Sequence, residues 1–426
     1  MSSGTDQSLS NYPPSVTTEA AEPRRVPNGS VAKRWPIHRL GDVATIHDNQ
    51  RVPISEPDRQ RRRGEYPYCG ANGILDSIDD YRYDGEYVLL AEDGGYWGAY
   101  EASAYLMKGR FWVNNHAHVL RGKPGVLDNV FLTHVLNYLD LTPFISGTTR
   151  GKLNQGVMVD IALPMPPITE QRAIAHVLQT VQKPKEARQR ELILERERKA
   201  ALMEHLFTHG TRGEKTKETE VGNIPESWNV LPMATVAKIE RGKFAHRPRN
   251  DPAYYGGTTP FVQTGDVTAS DGHITKYSQT LNERGLSVSK IFPRGTILIT
   301  IAANIGFSAI LEFDSAFPDS LIGITPTECI DAEFLNYYLM TQQPEMDRKA
   351  PRGTQKNINI EFLAPWQVPV PPLDEQLRIA SALRASDCKS KGLRQETALL
   401  TELFDVMLKD LMTGRISASA LVEKAQ

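Results

Sequence analysis

Residues 163–178 read LPMPPITEQRAIAHVL, and residues 368–383 read VPVPPLDEQLRIASAL. The register is constant: Pro166-Pro167 maps onto Pro371-Pro372 and Glu170-Gln171 onto Glu375-Gln376, both 205 positions on. A repeat this long makes the chain two copies of one unit. Outward from it, Trp35 opens WPIHRLGDVA and Trp228 opens WNVLPMATVA, 193 positions later. Tyr66-Pro67-Tyr68 matches Thr259-Pro260-Phe261 at that same spacing. GEYVLLAEDGGYWGAY (85–100) aligns loosely with GTILITIAANIGFSAI (295–310), and GTTRGKLNQG (147–156) with RGTQKNINIE (352–361). Each unit therefore runs Trp start, β-rich body, Gly-Thr-basic loop, Pro-Pro, long helical stretch. The change of spacing from 193 to 205 predicts insertions in the second body. A repeated frame carrying different bodies points to one job done on two ligands.

The expected fold class is α+β: two β-rich globular domains joined and separated by two long antiparallel, coiled-coil-like helices, with an internal pseudo-two-fold repeat. The expected divisions are a disordered tail at 1–33, a first body at 34–166, a first helical spacer at 167–212, a second body at 220–371, a second spacer at 372–416 and a tail at 417–426. YVLLA (87–91) and FWVNNHAHVL (111–120) read as strands, and NVFLTHVLNYL (129–139) and AEFLNYYLMTQ (332–342) as matching helices. Thr169 and Asp374 share a repeat position and are good N-cap residues. Glu170 and Glu375 follow, in a first turn that favours carboxylates. Gln171 and Gln376 complete this helix-start set, which is also the candidate surface for partner docking. Pro184 and the segment Asp387-Cys388-Lys389 are expected to break each stretch, leaving longer helices at about 185–208 and 389–413. Their seam is read as Leu192, Leu202 and Leu206 on the first, and Leu393, Leu400, Leu403 and Met407 on the second. A helix of about 24 residues spans roughly 36 Å, close to one turn of B-DNA at roughly 34 Å.

Composition bounds the partners. The chain has 426 residues, 40% hydrophobic and 23% charged, with 49 Lys+Arg against 51 Asp+Glu and a net charge of −2. There is no global basic field, so a nucleic acid must be met by local patches or with another subunit's help. Cys69, Cys329 and Cys388 are scattered, without metal-ligand spacing or a disulfide framework, which fits a reducing cytoplasm. No stretch is apolar enough to span a membrane.

The doubled P-x-P-P-x-x-E-Q-x-x-I-A pattern before a helix, each after a Trp-led β-rich region, resembles the specificity subunit of type I restriction–modification enzymes. GTILITIAANIG and FWVNNHAHVL resemble strands of its target-recognition domains. The resemblance covers about residues 35–416. It implies two target-recognition domains that each read one half of a bipartite double-stranded DNA target, and a helical spacer that fixes the gap. It implies no catalytic residue and no cofactor in this chain. Two methyltransferase subunits would bind S-adenosylmethionine and methylate adenine, and motor-nuclease subunits, if present, would bring ATP and Mg. The residues agree. The nearest approach to a base-holding Asn/Asp-Pro-Pro-aromatic cluster is Asn11-Tyr12-Pro13-Pro14, in the wrong order, and Gly147–Lys152 is too short for a P-loop. Two other readings stay open: a specificity subunit of a methylation-only or other phage-defence system, and a non-DNA scaffold.

Phosphate contact needs Lys, Arg or hydroxyls, and base reading favours Arg, Lys, Asn and Gln. In the first body the candidates are Arg59, Arg61, Arg62, Arg63, Lys108, Arg110, Arg150 and Lys152. In the second they are Arg241, Lys243, Arg247, Arg249, Arg352 and Lys356. The runs Arg51–Arg63 and Arg241–Arg249 follow the two Trp segments in corresponding places. His116 and His118 alternate on one expected strand and suit packing or hydrogen bonding better than metal ligation.

Overall fold

The structure is a computed structural model and describes residues 35–147, 150–246, 248–351, 356–418 and 420–421. The expected tail at 1–33 lies outside them. The chain divides into two compact units: residues 1–187 with 397–426, and residues 188–396.

The first body is built on a six-stranded sheet. Its strands are β2 (Ala44–Ile46), β3 (Tyr66–Gly70), β4 (Gly73–Ile78), β5 (Tyr83–Ala91), β6 (Ala104–Val113) and β7 (Ala117–Gly122), in the order β2-β7-β5-β6-β3-β4. A two-stranded ribbon pairs β1 (Ile37–Arg39) with β8 (Ala162–Pro164) beside it. The expected strand 111–120 is two strands: Asn114–His116 form the turn between β6 and β7. The run Leu89-Leu90-Ala91 is fully buried, as expected of a strand covered on both faces. One face is covered by helix α1 (Asn129–Tyr138), N-capped by Asp128, whose carboxylate accepts from the Val130 and Phe131 N–H groups.

In the second unit a ribbon of β9 (Thr216–Thr219) and β10 (Gly222–Pro225) precedes a body that repeats this scheme with one break. β11 (Asn229–Pro232) pairs with β21 (Gln367–Val370) as β1 pairs with β8. Strands β12 (Ala237–Arg241), β20 (Leu321–Pro326), β17 (Ile297–Thr300) and β18 (Ser308–Leu311) reproduce the order β2-β7-β5-β6, and β14 (His273–Ile274) joins the edge. The path of continuous β6 is here interrupted by Glu312-Phe313-Asp314. Its second part, β19 (Ser315–Ala316), pairs in parallel with β13 (Tyr255–Phe261), as β6 does with β3. With β15 (Gln279–Leu281) and β16 (Ile291–Phe292) these form a separate four-stranded sheet. Helix α3 (Ala332–Lys349), capped by Asp331, takes the place of α1.

The long helices are α2 (Ile168–His209) and α4 (Leu373–Met412), of 42 and 40 residues. Neither is broken. Pro184 lies inside α2 and removes one backbone donor, and the Gln182 amide reaches across that turn to Glu186 (2.7 Å). Thr169 and Asp374 are not N-caps, because each helix begins one residue earlier and they sit in its first turn. Within each unit the start of one helix packs against the end of the other. In the first, Ile174, Val177 and Leu178 share a core with Leu408, Leu411 and Met412. In the second, Ile379, Ala380 and Leu383 share one with Leu202, Met203 and Leu206. The helices run antiparallel there: Arg188 pairs with Glu396 and Lys199 with Asp387. Leu403 is off the seam and exposed. At 100° per residue it lies 60° from Leu400 on the solvent side, while Phe404 turns inward to the core.

Candidate nucleic-acid interface and helix-start sites

The repeated Glu-Gln dipeptide performs a defined task in each unit. Gln171 is fully buried. Its carbonyl accepts from the Asp128 N–H (2.9 Å), and its amide donates to the carbonyls of Val126 (2.9 Å) and Pro166 (2.9 Å). Gln376, also fully buried, accepts from the Asp331 N–H (2.7 Å) and donates to the carbonyls of Cys329 (3.1 Å) and Pro371 (2.9 Å). Asp128 and Asp331 cap α1 and α3, so each glutamine clasps the start of a long helix to the start of its body's helix. Glu375 is fully buried too. It accepts from the Thr211 N–H (2.8 Å) and the Trp228 indole (3.3 Å), and Arg212 pairs with it (3.2 Å). These bonds fasten the end of α2 to the start of α4. Gln171, Glu375 and Gln376 thus offer no surface to a partner. Thr169 and Asp374 are exposed, and Glu170 is half-buried.

The helix pair in the second unit is locked by charge. Glu195, within α2, is buried and bonded to Arg198 (2.5 Å), the Ser386 hydroxyl (2.6 Å) and Lys389 (3.4 Å). Arg198 first, helped by Ser386 and Lys389, holds its carboxyl down to about 2.

Most candidate DNA contacts of the first body are tied within the fold. Arg59 donates to the Ile54 carbonyl (2.7 Å), pairs with Asp76 (3.3 Å) and lies over the Tyr68 ring. Arg62 bonds Asp79 through two nitrogens (3.0 and 2.8 Å) and Arg61 meets Asp58 (3.2 Å). Lys108 and Arg110 are cross-strand partners of Glu86 (2.6 Å) and Asp84 (3.2 Å) on β5. Among the described residues no carboxylate pairs with Arg63, which is exposed.

Arg150 and Lys152 belong to a network that the sequence did not reveal. Lys152 pairs with Glu92 (3.0 Å), and Arg150 and His116 both meet Asp93 (2.6 and 2.8 Å). Arg51 bridges Glu92 (2.5 Å) and Asp48 (3.3 Å), and buried His118 contacts Asp48 (2.5 Å) and the Leu153 carbonyl (2.8 Å). Burial works against the Glu92 charge, yet Arg51 and Lys152 prevail and keep its carboxyl below the usual range. Asp48, Glu92 and His118 lie close enough to gather round a cation. Arg51 and Lys152 already neutralise the two carboxylates, and both His118 nitrogens are committed, so the set fits a charge network. Its effect is to hold the Gly-Thr-basic loop against the end of β5, where the Leu153 N–H donates to the Glu92 carbonyl (2.7 Å).

In the second body Arg241 donates to the Asp319 carbonyl (2.7 Å), Arg249 pairs with the Asp319 carboxylate, and Lys356 pairs with Asp347 (2.7 Å). Lys243 is exposed with no carboxylate partner among the described residues. Arg247 and Arg352 lie outside the described residues. The corresponding loop is held by backbone bonds beside that ion pair: the Ile358 N–H donates to the Ile301 carbonyl (3.0 Å) and Ala302 bridges Asn357.

The comparisons agree with this duplicated architecture. A family model described as the type I restriction modification DNA specificity domain matches residues 32–195 and again 225–401. A Haemophilus influenzae chain, provisionally named as a type I restriction enzyme specificity subunit, is 29% identical over 85% of this chain and 90% of its own length. The MjaVIII specificity subunit of Methanocaldococcus jannaschii is 23% identical over 92% of this chain and 95% of its own. The crystal structure of the type I S subunit from M. genitalium shares the fold, with a TM-score of 0.61 at 15% identity over 91% of this chain and 98% of that one. The chain belongs to the type I restriction–modification specificity subunits, the non-catalytic component of those systems.

Proposed function

We propose that each body reads one half of a bipartite DNA target, that α2 and α4 set the gap, and that the two repeated frames dock two adenine methyltransferase subunits. The observation that carries this reading is the doubled glutamine clasp. The same three-bond joint fixes each of two different bodies to the same helical frame. A frame held constant while the reading surfaces diverge is what a reader of two unlike half-sites needs. The pairing of most described candidate cations within the fold supports a division of labour in which partners complete the affinity, since each phosphate neutralised adds to salt-sensitive binding. A solved relative described in terms of complex assembly of the type I system supports docking of further subunits. Methyl transfer and S-adenosylmethionine belong to the methyltransferases, and ATP and Mg to motor-nuclease subunits where these join.

The test is co-expression with the neighbouring methyltransferase in a methylation-free host, followed by mapping of methylated adenines. The expected result is one split motif with a fixed gap, of which replacement of residues 34–166 changes one half only. A soluble complex that methylates nothing, or one whose DNA binding ignores salt, refutes the reading.

A further inference from the structure

The second body contains a small cleft of about 210 Å³ beside its basic run. Its apolar lining is Phe244, Tyr255 and Phe261, and Arg249 stands at its side. Two amides complete it. Gln263 lies two residues past the end of β13, and its backbone N–H is fixed by the Asp266 carboxylate (2.8 Å). Gln279 opens β15, and the two side chains are joined by one hydrogen bond of 2.9 Å. That bond uses one donor from one amide and one acceptor from the other. The Gln263 side chain also accepts from the Asp266 N–H in a capping box, and each of the two adjacent amides still keeps at least one N–H donor and one carbonyl lone pair. Gln279 is exposed and Gln263 half-buried, so the amide pair is reachable from solvent.

A neighbouring donor and acceptor match the major-groove edge of adenine, which offers N7 as acceptor and N6–H as donor. The thymine partner adds a methyl group, for which an aromatic-lined hollow is the complementary surface. Lys243 supplies positive charge near by for a flanking phosphate, while Arg249 is paired with Asp319. We infer that Gln263 and Gln279 read one A·T pair in the half-site of the second body, adenine at the amide pair and the thymine methyl in the cleft. This inference rests on the DNA-reading function proposed above and adds which residues read which kind of pair.

The test compares methylation motifs of complexes carrying Gln263→Ala, Gln279→Ala or Gln279→Glu with the parent. Thermal unfolding is checked in parallel. Either alanine variant is expected to relax one A·T position of one half-site, with discrimination there falling roughly 5- to 150-fold, while the other half and the gap stay unchanged. Gln279→Glu keeps an acceptor for Gln263 but removes the Gln279 donor, so it relaxes the same position. Unchanged motifs, relaxation at a G·C position, or loss of all methylation by folded complexes would each overturn the inference. If the parent complex itself yields no split motif, the proposed function fails instead.

Discussion

Replacing Gln376 by Ala tests whether the clasp holds the second unit together. The side chain is fully buried and makes three hydrogen bonds, to the Asp331 N–H and to the Cys329 and Pro371 carbonyls. Alanine removes all three and leaves those backbone groups without this partner. Each lost bond costs about 1 kcal/mol net and more where the orphaned group stays buried, so the total is about 3–5 kcal/mol. That is a large share of the ~5–15 kcal/mol available to a folded domain. For a unit of this size each kcal/mol moves the melting temperature by roughly 2–4 °C, which predicts a fall of about 6–20 °C. Gln376→Glu should be at least as damaging, because a carboxylate oxygen would then face two carbonyls. The assay is thermal unfolding, with Gln171→Ala measured alongside as the same lesion in the first unit. Trp228 and Trp366 report the second unit, and Trp35, Trp97 and Trp112 the first. A loss below about 1 kcal/mol would refute the clasp as a structural joint and return these glutamines to a search for another role.

Acidification should weaken the helix pair through Glu195. Its folded pKa is depressed to about 2 from 4.5, so its contribution is complete above pH 4.5 and vanishes as pH falls toward 2. Urea midpoints between pH 3 and 6 should slope less in Glu195→Gln. His273 has the opposite sign. Glu333 first raises its pKa above 6.5, burial opposes it, and Glu312 adds to the rise, so its contribution is complete below pH 6.5 and is lost as pH rises through the raised value. His273→Gln should remove that loss, as midpoints from pH 6 to 9 would reveal. Lys243→Ala should weaken DNA binding by the assembled complex evenly across sequences and lower the salt slope by about 1. Arg59→Ala should instead lower stability and leave that slope unchanged; a reversal of the two outcomes would show that the ion pairs of Arg59 open on DNA.

The frame was legible because it is written twice. Trp35 and Trp228, the Pro-Pro pairs and the Glu-Gln pairs fix the order of elements without knowledge of any contact. What the repeat could not convey was continuity and facing. Pro184 looked like a stop, but packing on both sides of it and the Gln182–Glu186 bond carry α2 through. Leu403 fitted a list of leucines, yet its angular offset from Leu400 puts it in solvent. The basic runs were visible as charges, whereas their partners Asp76, Asp79, Asp84 and Glu86 come from other strands and only the folded sheet brings them near. The amide pair of Gln263 and Gln279 was invisible for the same reason: 16 residues and a change of strand separate its members.

The two units solve one loop problem with different chemistry, and the difference bears on what each loop can offer a ligand. In both, the loop before the Pro-Pro segment must stay against the end of the central strand. The second unit uses backbone bonds around Ile301 and Ala302, and its loop residue Lys356 pairs with Asp347 on a helix. The first adds Glu92 and Asp93, each matched to a cation of the loop, with Arg51 and His118 behind them. A loop held through Arg150 and Lys152 can offer them to DNA phosphates only in competition with two carboxylates. The Gly-Thr-basic loop of the first unit is therefore better suited to positioning than to phosphate binding, and Arg150→Ala should shift its mobility more than the affinity of the complex for DNA. Hydrogen exchange of residues 150–154, set beside the salt dependence of binding, separates these effects: a fall in salt slope of about 1 with unchanged exchange would mean that the loop cations serve DNA after all.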